Sequence, residues 1–544
     1  MNNSERKWNS GGLYGVATLV FLVFSVSLVM GQSYQSQYIP VNTSPDNGSV
    51  GKGTLTQKGE SLVLLGSYQA IGRDASVPVL TVSGDGTVVN QFAIVDPLGA
   101  PGVELEGVAV SDDGEGEYYI GINRDQSGHK SGLITRTDPA GKIRWATEWN
   151  AIDIKDLVYN PSTGVTLAIA NGEDTRGQQD FQLGLFDPEG HTLVTRSILT
   201  ASEDAATGAV ALPKSGSFLV SGSMKSRDLS PFLAKLTSQG EIEWGARYQL
   251  GLEVISVGDV AYLASEEVIG LTGTAVNVNR DTTAFLLVTD VEGVPIRVVY
   301  YELSPRFQGF GATVAAVDDP NGYRGFVIGG QIKLPALSKE PRSLLIHTDA
   351  YGYPVWTRTY GSFDNTDLTA DGFSHVSYSS STGEFAAVGF ETYAPNGTLD
   401  EFRLKVVKAK AIDGDAGRSV GLCSDDLEVV PVDGEALAFS EGYTEVTGSS
   451  NNSALRTDRL RWDVDFCSYP LRSRTIATEV ENTQPIGSYH AEVFDMQGRQ
   501  VWEETVKEGA TLRLPAELPL GVYIVHKVVD GMVVESQKVS QVQP

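Results

Sequence analysis

A unit of about fifty residues recurs along most of this chain, and it restricts the possible fold more than any other feature. GLITRTDPAGKIRWATEW from Gly132 parallels PFLAKLTSQGEIEWGARY from Pro231, AFLLVTDVEGVPIRVVYY from Ala284 and SLLIHTDAYGYPVWTRTY from Ser343. FQLGLFDPEGHTLVTRSI from Phe181 and VLTVSGDGTVVNQFAIV from Val79 are looser copies. Each copy is an apolar strand, a turn ending in Gly, and a second strand. The turn glycines are Gly86, Gly141, Gly190, Gly240, Gly293 and Gly352, and FRLKVVKAKAIDG, ending at Gly414, has lost the clean turn. Upstream of each turn lies a further strand pair with a small-residue landmark, at Gly66, Gly121, Ala170, Gly222, Gly273, Gly330 and Gly389. Period-2 segments such as GVAVSDDG, DLVYNPSTG, GAVALPKSG and FSHVSYSSSTG precede those landmarks. Four short antiparallel strands, repeated about seven times, describe an all-β, roughly seven-bladed β-propeller over 53–414. One blade cannot bury both of its faces, whereas stacked blades in a closed ring can.

The turn itself has a physical reading. Asp138, Asp187, Asp290 and Asp349 open D-x-x-G turns, where a carboxylate accepts a bond from the backbone N–H two residues on and Gly supplies positive φ. Trp145, Trp244 and Trp356 each fall four residues after a turn Gly, a placement that predicts packing between blades. TDPAGKIRW and TDAYGYPVW resemble the turn of the quinoprotein-like and related tandem propeller repeats of secreted bacterial proteins. The pyrroloquinoline-quinone dehydrogenases with such blades rely on vicinal Cys, which is lacking here, so that cofactor is not expected.

The two ends of the chain read as addresses. Arg6 and Lys7 precede an apolar run from Tyr14 to Met30, followed by a small-residue junction at Gly31 and Gln32. That order predicts a secretory signal over 1–31, with a membrane anchor as the rival reading. Residues 32–52, rich in Ser, Gln, Asn, Pro and Gly, are expected to be a flexible leader, and no later apolar segment is long enough to span a membrane. At the other end, strands with period-2 alternation and turns at Asp495–Gly498 and Asp530–Gly531 occupy 480–544. The V-x-D-x-x-G-R-x-V core at Val493–Val501 includes Asp495 and Gly498. With LPLGVYIV (Gly521, Tyr523) and a last strand carrying Lys538, it resembles the type A C-terminal sorting domain of the type IX secretion system. The resemblance implies a small Ig-like β-sandwich, a Gram-negative bacterium of the Bacteroidetes type, a translocon and a sortase as partners, and a secreted or cell-surface protein.

Between these modules, 415–479 is an irregular, Cys-containing connector or propeller extension, left open between an eighth blade, a cap and a linker. In an oxidising compartment Cys423 and Cys467 are expected to pair. Lys plus Arg number 41 against 68 Asp plus Glu, a net charge of −27, which repels nucleic acid and anionic membrane surfaces.

The sequence has no H-E-x-x-H, C-x-x-C or P-loop. The six His, at 129, 191, 347, 375, 490 and 526, fall at non-equivalent places, leaving catalytic residues unassigned. No cofactor or metal is expected. Asp112, Asp113, Glu115 and Glu117, and Asp318 with Asp319, are weak candidates for Ca²⁺ that lack the twelve-residue loop spacing. Innermost-strand segments read Gly107-Val-Ala-Val, Gly208-Ala-Val-Ala and Ala312-Thr-Val-Ala, so a small, apolar channel is expected. That favours a non-enzymatic module binding glycan, peptide or protein over an extracellular hydrolase or lyase acting in the channel.

Overall fold

In the computed structural model, residues 34–40, most of 54–410, the strands between 424 and 466, and those between 488 and 541 are described. The signal segment with Gly31 and Gln32, both cysteines, and Asp495 and Gly498 lie outside the described residues. Among the described residues every regular element is a β-strand, and no helix is long and apolar enough to cross a membrane.

Strands of 54–95, 103–150, 152–199, 203–250, 253–303, 308–360 and 368–410 form blades 1 to 7, each an antiparallel sheet. A single bridging pair, Leu229 with Val254, links the sheets of blades 4 and 5. The first strand of every blade contacts the first strands of both neighbours, and Leu368–Ser379 contacts Thr54–Lys58, closing the ring. This is the architecture of a β-propeller. Apolar faces of consecutive sheets meet in clusters such as Leu263, Leu286, Val299, Phe326 and Ile346, between blades 5 and 6.

The repeating turn explains the period. Its six glycines have φ between 75° and 90°. Asp138, Asp187, Asp290 and Asp349 accept from the N–H groups two and four residues on, at 2.8–3.1 Å. Each turn then rests on the preceding blade. Trp145 Nε1 donates to Pro188 O at 2.9 Å, and its ring lies where a Cβ on Gly190 would be. Trp244 is seated likewise beneath Gly293, and Trp356 packs between His347 and Phe385. The carbonyls of Gly190, Gly240, Gly293 and Gly352 accept from Thr147, Arg196, Tyr248 and Tyr301 of the blade before. One clasp, varied in side chain, recurs around the ring.

Two segments differ from their sequence expectation. Within the expected leader, Tyr34–Pro40 is a strand paired with Glu401–Lys410, so the N-terminal region supplies the fourth strand of blade 7. This also accounts for the lost turn near Gly414, because blade 7 takes its fourth strand from elsewhere in the chain. The segment expected as an irregular connector or propeller extension is an extension, and a regular one: a belt. Ser424–Asp426 pairs with the outer strand of blade 6, Val429–Gly434 with blade 5 and Ala436–Ser440 with blade 4. Thr444–Thr447, Asn451–Asn452 and Arg456–Asp458 follow on blades 3, 2 and 1, and Trp462–Phe466 pairs with Tyr34–Pro40 on blade 7. The belt thus adds a fifth strand to all seven blades in reverse order, covering every outer edge.

Ser488–Phe494, Gln500–Lys507, Gly521–Val529 and Met532–Gln541 form a separate four-stranded antiparallel sheet. Gly521 opens its strand opposite Gln541, Tyr523 faces Val539 in register, and Lys538 pairs with Ile524.

Candidate functional site

Six of the seven innermost strands carry a register shift at the same place: Gly107/Ala109, Ile154/Asp156, Ala206/Gly208, Val257/Val260, Gly311/Thr313 and Phe373/His375. The bulge brings an inner-strand carbonyl against the second strand. A Cβ at Gly222, Gly273, Gly330 or Gly389 would collide with the carbonyl of Ala205, Ser256, Phe310 or Gly372. These four landmark glycines are therefore the room that the bulges need.

At the bulge, the innermost strands of blades 2 to 7 carry Ala109, Asp156, Gly208, Asp259, Thr313 and His375. The inner strands carry small residues at this position in blades 2 and 4, but Asp156, Asp259 and His375 in blades 3, 5 and 7, and Thr313 in blade 6. Aligning all the inner strands, with DLV at Asp156, DVA at Asp259 and HVS at His375, carries that signal in the sequence.

These groups reach sideways into the next blade. Asp156 accepts from Leu157 N at 2.7 Å through Oδ1 and from Ala209 N of blade 4 at 2.8 Å through Oδ2. Asp259 accepts from Val260 N at 2.7 Å through Oδ1 and from the Thr313 hydroxyl of blade 6 at 3.1 Å through Oδ2. It also accepts from the backbone of Val314. Thr313 Oγ1 in turn accepts from Val376 N of blade 7 at 3.2 Å. A parallel set starts on the second strands, where Asn123 Oδ1 accepts from Ile154 N, Asn171 Oδ1 from Ala206 N, and Thr274 Oγ1 from Gly311 N.

The two carboxyls meet across Gly208, where a Cβ would collide with Asp259 Oδ1. Burial raises Asp259 to about 8, helped by the charge of Asp156, against its hydrogen bonds. Burial likewise raises Asp156 to about 6, opposed by the N–H groups of Ala209 and Leu157. At neutral pH the pair thus holds one proton, a state suited to acid–base exchange if an oxygen were available to a reactant. Both oxygens of each carboxyl are instead engaged by the protein. Burial lowers His375 to about 4, so its ring is neutral at that pH.

The other two histidines with described side chains lie elsewhere. His347 is buried against Trp356, and burial lowers it to about 4. His191 lies on the blade 3 turn, with Nδ1 2.9 Å from Asp187 Oδ2. His129 opens a strand of blade 2, while His490 and His526 belong to the C-terminal sheet. Asp187, Glu189 and His191 have ligand atoms close enough for one cation, yet Asp187 makes the same backbone bonds as the other turn aspartates. Of the acidic hairpin, Asp113 accepts from the N–H groups of Glu115, Gly116 and Glu117 and pairs with Arg136 at 2.8 Å. Its pKa is lowered: burial acts upward, but Arg136 and the N–H donors outweigh it. Tyr378 donates to Asp319 Oδ2, and Ser265 N to Asp318 Oδ2. These carboxylates are turn and blade fasteners.

No protein-family model matches the chain, and no curated protein matches it in sequence. Among solved structures it is similar to a periplasmic gluconolactonase of Pseudomonas aeruginosa, with a TM-score of 0.41 at 10% identity over 74% of this chain and 100% of that one. It is also similar to an apocarotenoid oxygenase of Synechocystis, with a TM-score of 0.33 at 12% identity over 57% of this chain and 74% of that one. These likenesses carry no argument about chemistry.

Proposed function

We propose that this chain is an exported propeller that binds an extracellular glycan, peptide or protein and does no chemistry of its own. The observation that carries this reading is the engagement of the inner-strand carboxyls: Asp156 and Asp259 each use both oxygens on backbone or hydroxyl donors, including donors of the next blade. A general acid or base must present its proton-carrying atom to a reactant within hydrogen-bond reach. Here those atoms hold the ring together. The second reading, a hydrolase or lyase, draws on the raised and proton-sharing state of the same pair.

Export through type IX secretion is supported by the N-terminal signal pattern and the C-terminal motif with Gly521, Tyr523 and Lys538. The C-terminal module is proposed as the Ig-like sorting sandwich, read by the translocon and sortase, with delivery to the outer surface or medium. An oxidising route fits a bridge between Cys423 and Cys467, which flank Ser424 and Phe466, the first and last residues of the belt. Those residues lie on neighbouring blades 6 and 7, so the bridge would close the belt into a hoop.

The test is prolonged incubation of the mature chain with immobilised extracellular polysaccharides and surface proteins. Retention without new reducing ends, unsaturated ends or peptide fragments is expected. Product formation that is lost in the variant Asp156→Asn/Asp259→Asn would establish the second reading instead.

A further inference from the structure

The third-to-fourth-strand turn has one backbone in successive blades, so its solvent-facing positions can be compared directly. Two and four residues after the turn's first residue stand Glu189 and His191 in blade 3, and Gln239 and Glu241 in blade 4. Blade 6 has Tyr351 and Tyr353 there, 50% and 37% exposed. Tyr323, 43% exposed, closes the first hairpin of the same blade, and alternating strand direction puts both turns on one face of the ring. Exposed aliphatic residues do not set this blade apart. Val89, Leu193, Ile296 and Val355 all lie three residues after a turn Gly, and all are exposed. Only the tyrosines are peculiar to blade 6.

Tyr353 is also held in place. The Arg297 guanidinium carbon of blade 5 is 4.6 Å from its ring centroid, and its hydroxyl is 3.3 Å from Asp433 Oδ2 on the belt. Arg297 and Asp433 are themselves 3.7 Å apart. An aromatic ring fixed at low entropic cost beside a paired guanidinium and carboxylate offers a flat apolar face and planar hydrogen-bonding groups together. A pyranose chain presents the complement, C–H faces alternating with hydroxyl edges. The net charge of −27, with Asp290, Glu292 and Asp349 on these turns, disfavours a polyanion.

We propose that the turn face of blades 5 and 6 binds a neutral oligosaccharide chain, with Tyr323, Tyr351 and Tyr353 as the stacking platform and Arg297 with Asp433 on the hydroxyls. The inference rests on the binding reading above and names its site and ligand class.

Affinity electrophoresis of the full mature chain tests it, with laminarin, xylan, mannan or dextran in the gel and polygalacturonate as the anionic control. At least one neutral polymer should retard the protein and polygalacturonate should not. Tyr351→Ala/Tyr353→Ala should weaken that retardation at least tenfold with thermal unfolding unchanged, while Tyr353→Phe should largely keep it. Undiminished retardation of the double variant would overturn the site while leaving the binding reading in place. Retardation by polygalacturonate alone would overturn the ligand class. No retardation by any of the neutral polymers would overturn the saccharide proposal and point to a protein partner for this face.

Discussion

Blade 7 and the continuous blades are held by different chemistry. Blades 2 to 6 take their four inner strands from one stretch of chain each, and single side-chain donors clasp them, mostly neutral ones: Tyr248 on Gly293 O and Tyr301 on Gly352 O, with Arg196 on Gly240 O. Blade 7 is assembled from 368–410 and Tyr34–Pro40, and two fully buried lysines secure it. Lys405 Nζ lies 3.0 Å from both Asp371 and Glu391 and donates to Tyr360 O of blade 6 at 2.9 Å. Lys408 pairs with Glu384 at 2.9 Å and reaches Gly84 O of blade 1 at 3.5 Å. All of these ion pairs lie within 368–410, and each lysine also reaches a carbonyl of a neighbouring blade. A buried ion pair is weak evidence of stability, but a broken one is costly, so blade 7 is sensitive to the loss of any one partner.

Deleting residues 34–40 should break the comparison most severely. It removes a whole strand from blade 7 and leaves the belt strand Trp462–Phe466 without its partner. Loss of the single cooperative unfolding transition by calorimetry is expected. Lys405→Met leaves two buried carboxylates facing each other and should cost about 3–5 kcal/mol in denaturant unfolding. The bridge proposed for Cys423 and Cys467, 44 residues apart, would contribute about 4 kcal/mol by loop entropy. Intact mass with and without reductant checks it, and free thiols in protein from its native compartment would remove the hoop. By contrast Asp349→Ala, in a continuous blade, loses two N–H acceptors and should cost about 1 kcal/mol. A truncation before Thr478 leaves the ring's strands intact. It should hold the protein in the periplasm, as fractionation would read, with thermal unfolding unchanged.

Legibility followed burial and local chemistry. The D-x-x-G turns and the tryptophans could be read because their Asp, Gly and Trp are required by local backbone geometry and inter-blade packing. Tyr34–Pro40 and the belt could not. An outermost strand faces solvent broadly, as Val432 and Leu437 do, so no apolar alternation announces it. Its pairing is made by backbone, which any side chain tolerates. The inner strands were half legible. Gly107, Gly208 and Ala312 pointed to small residues, but Asp156, Asp259 and His375 come into line only when the bulges set the register.

The functional conclusion depends on Asp156 and Asp259 being fasteners, and one measurement addresses that directly. Both folded-state pKa values lie above the ordinary carboxylate value, so the folded state binds more protons than the unfolded one. The stability they add is fully present below about pH 4 and is lost as pH rises through about 6 and then about 8. Unfolding free energy and polymer retention of Asp156→Asn/Asp259→Asn should be followed beside the parent chain from pH 4 to pH 8. The account predicts a less stable variant at pH 4, a gap that narrows steadily toward pH 8, and unchanged retention throughout. A variant with parental stability at every pH, but with ligand turnover or retention abolished, would contradict it and return this pair to catalysis.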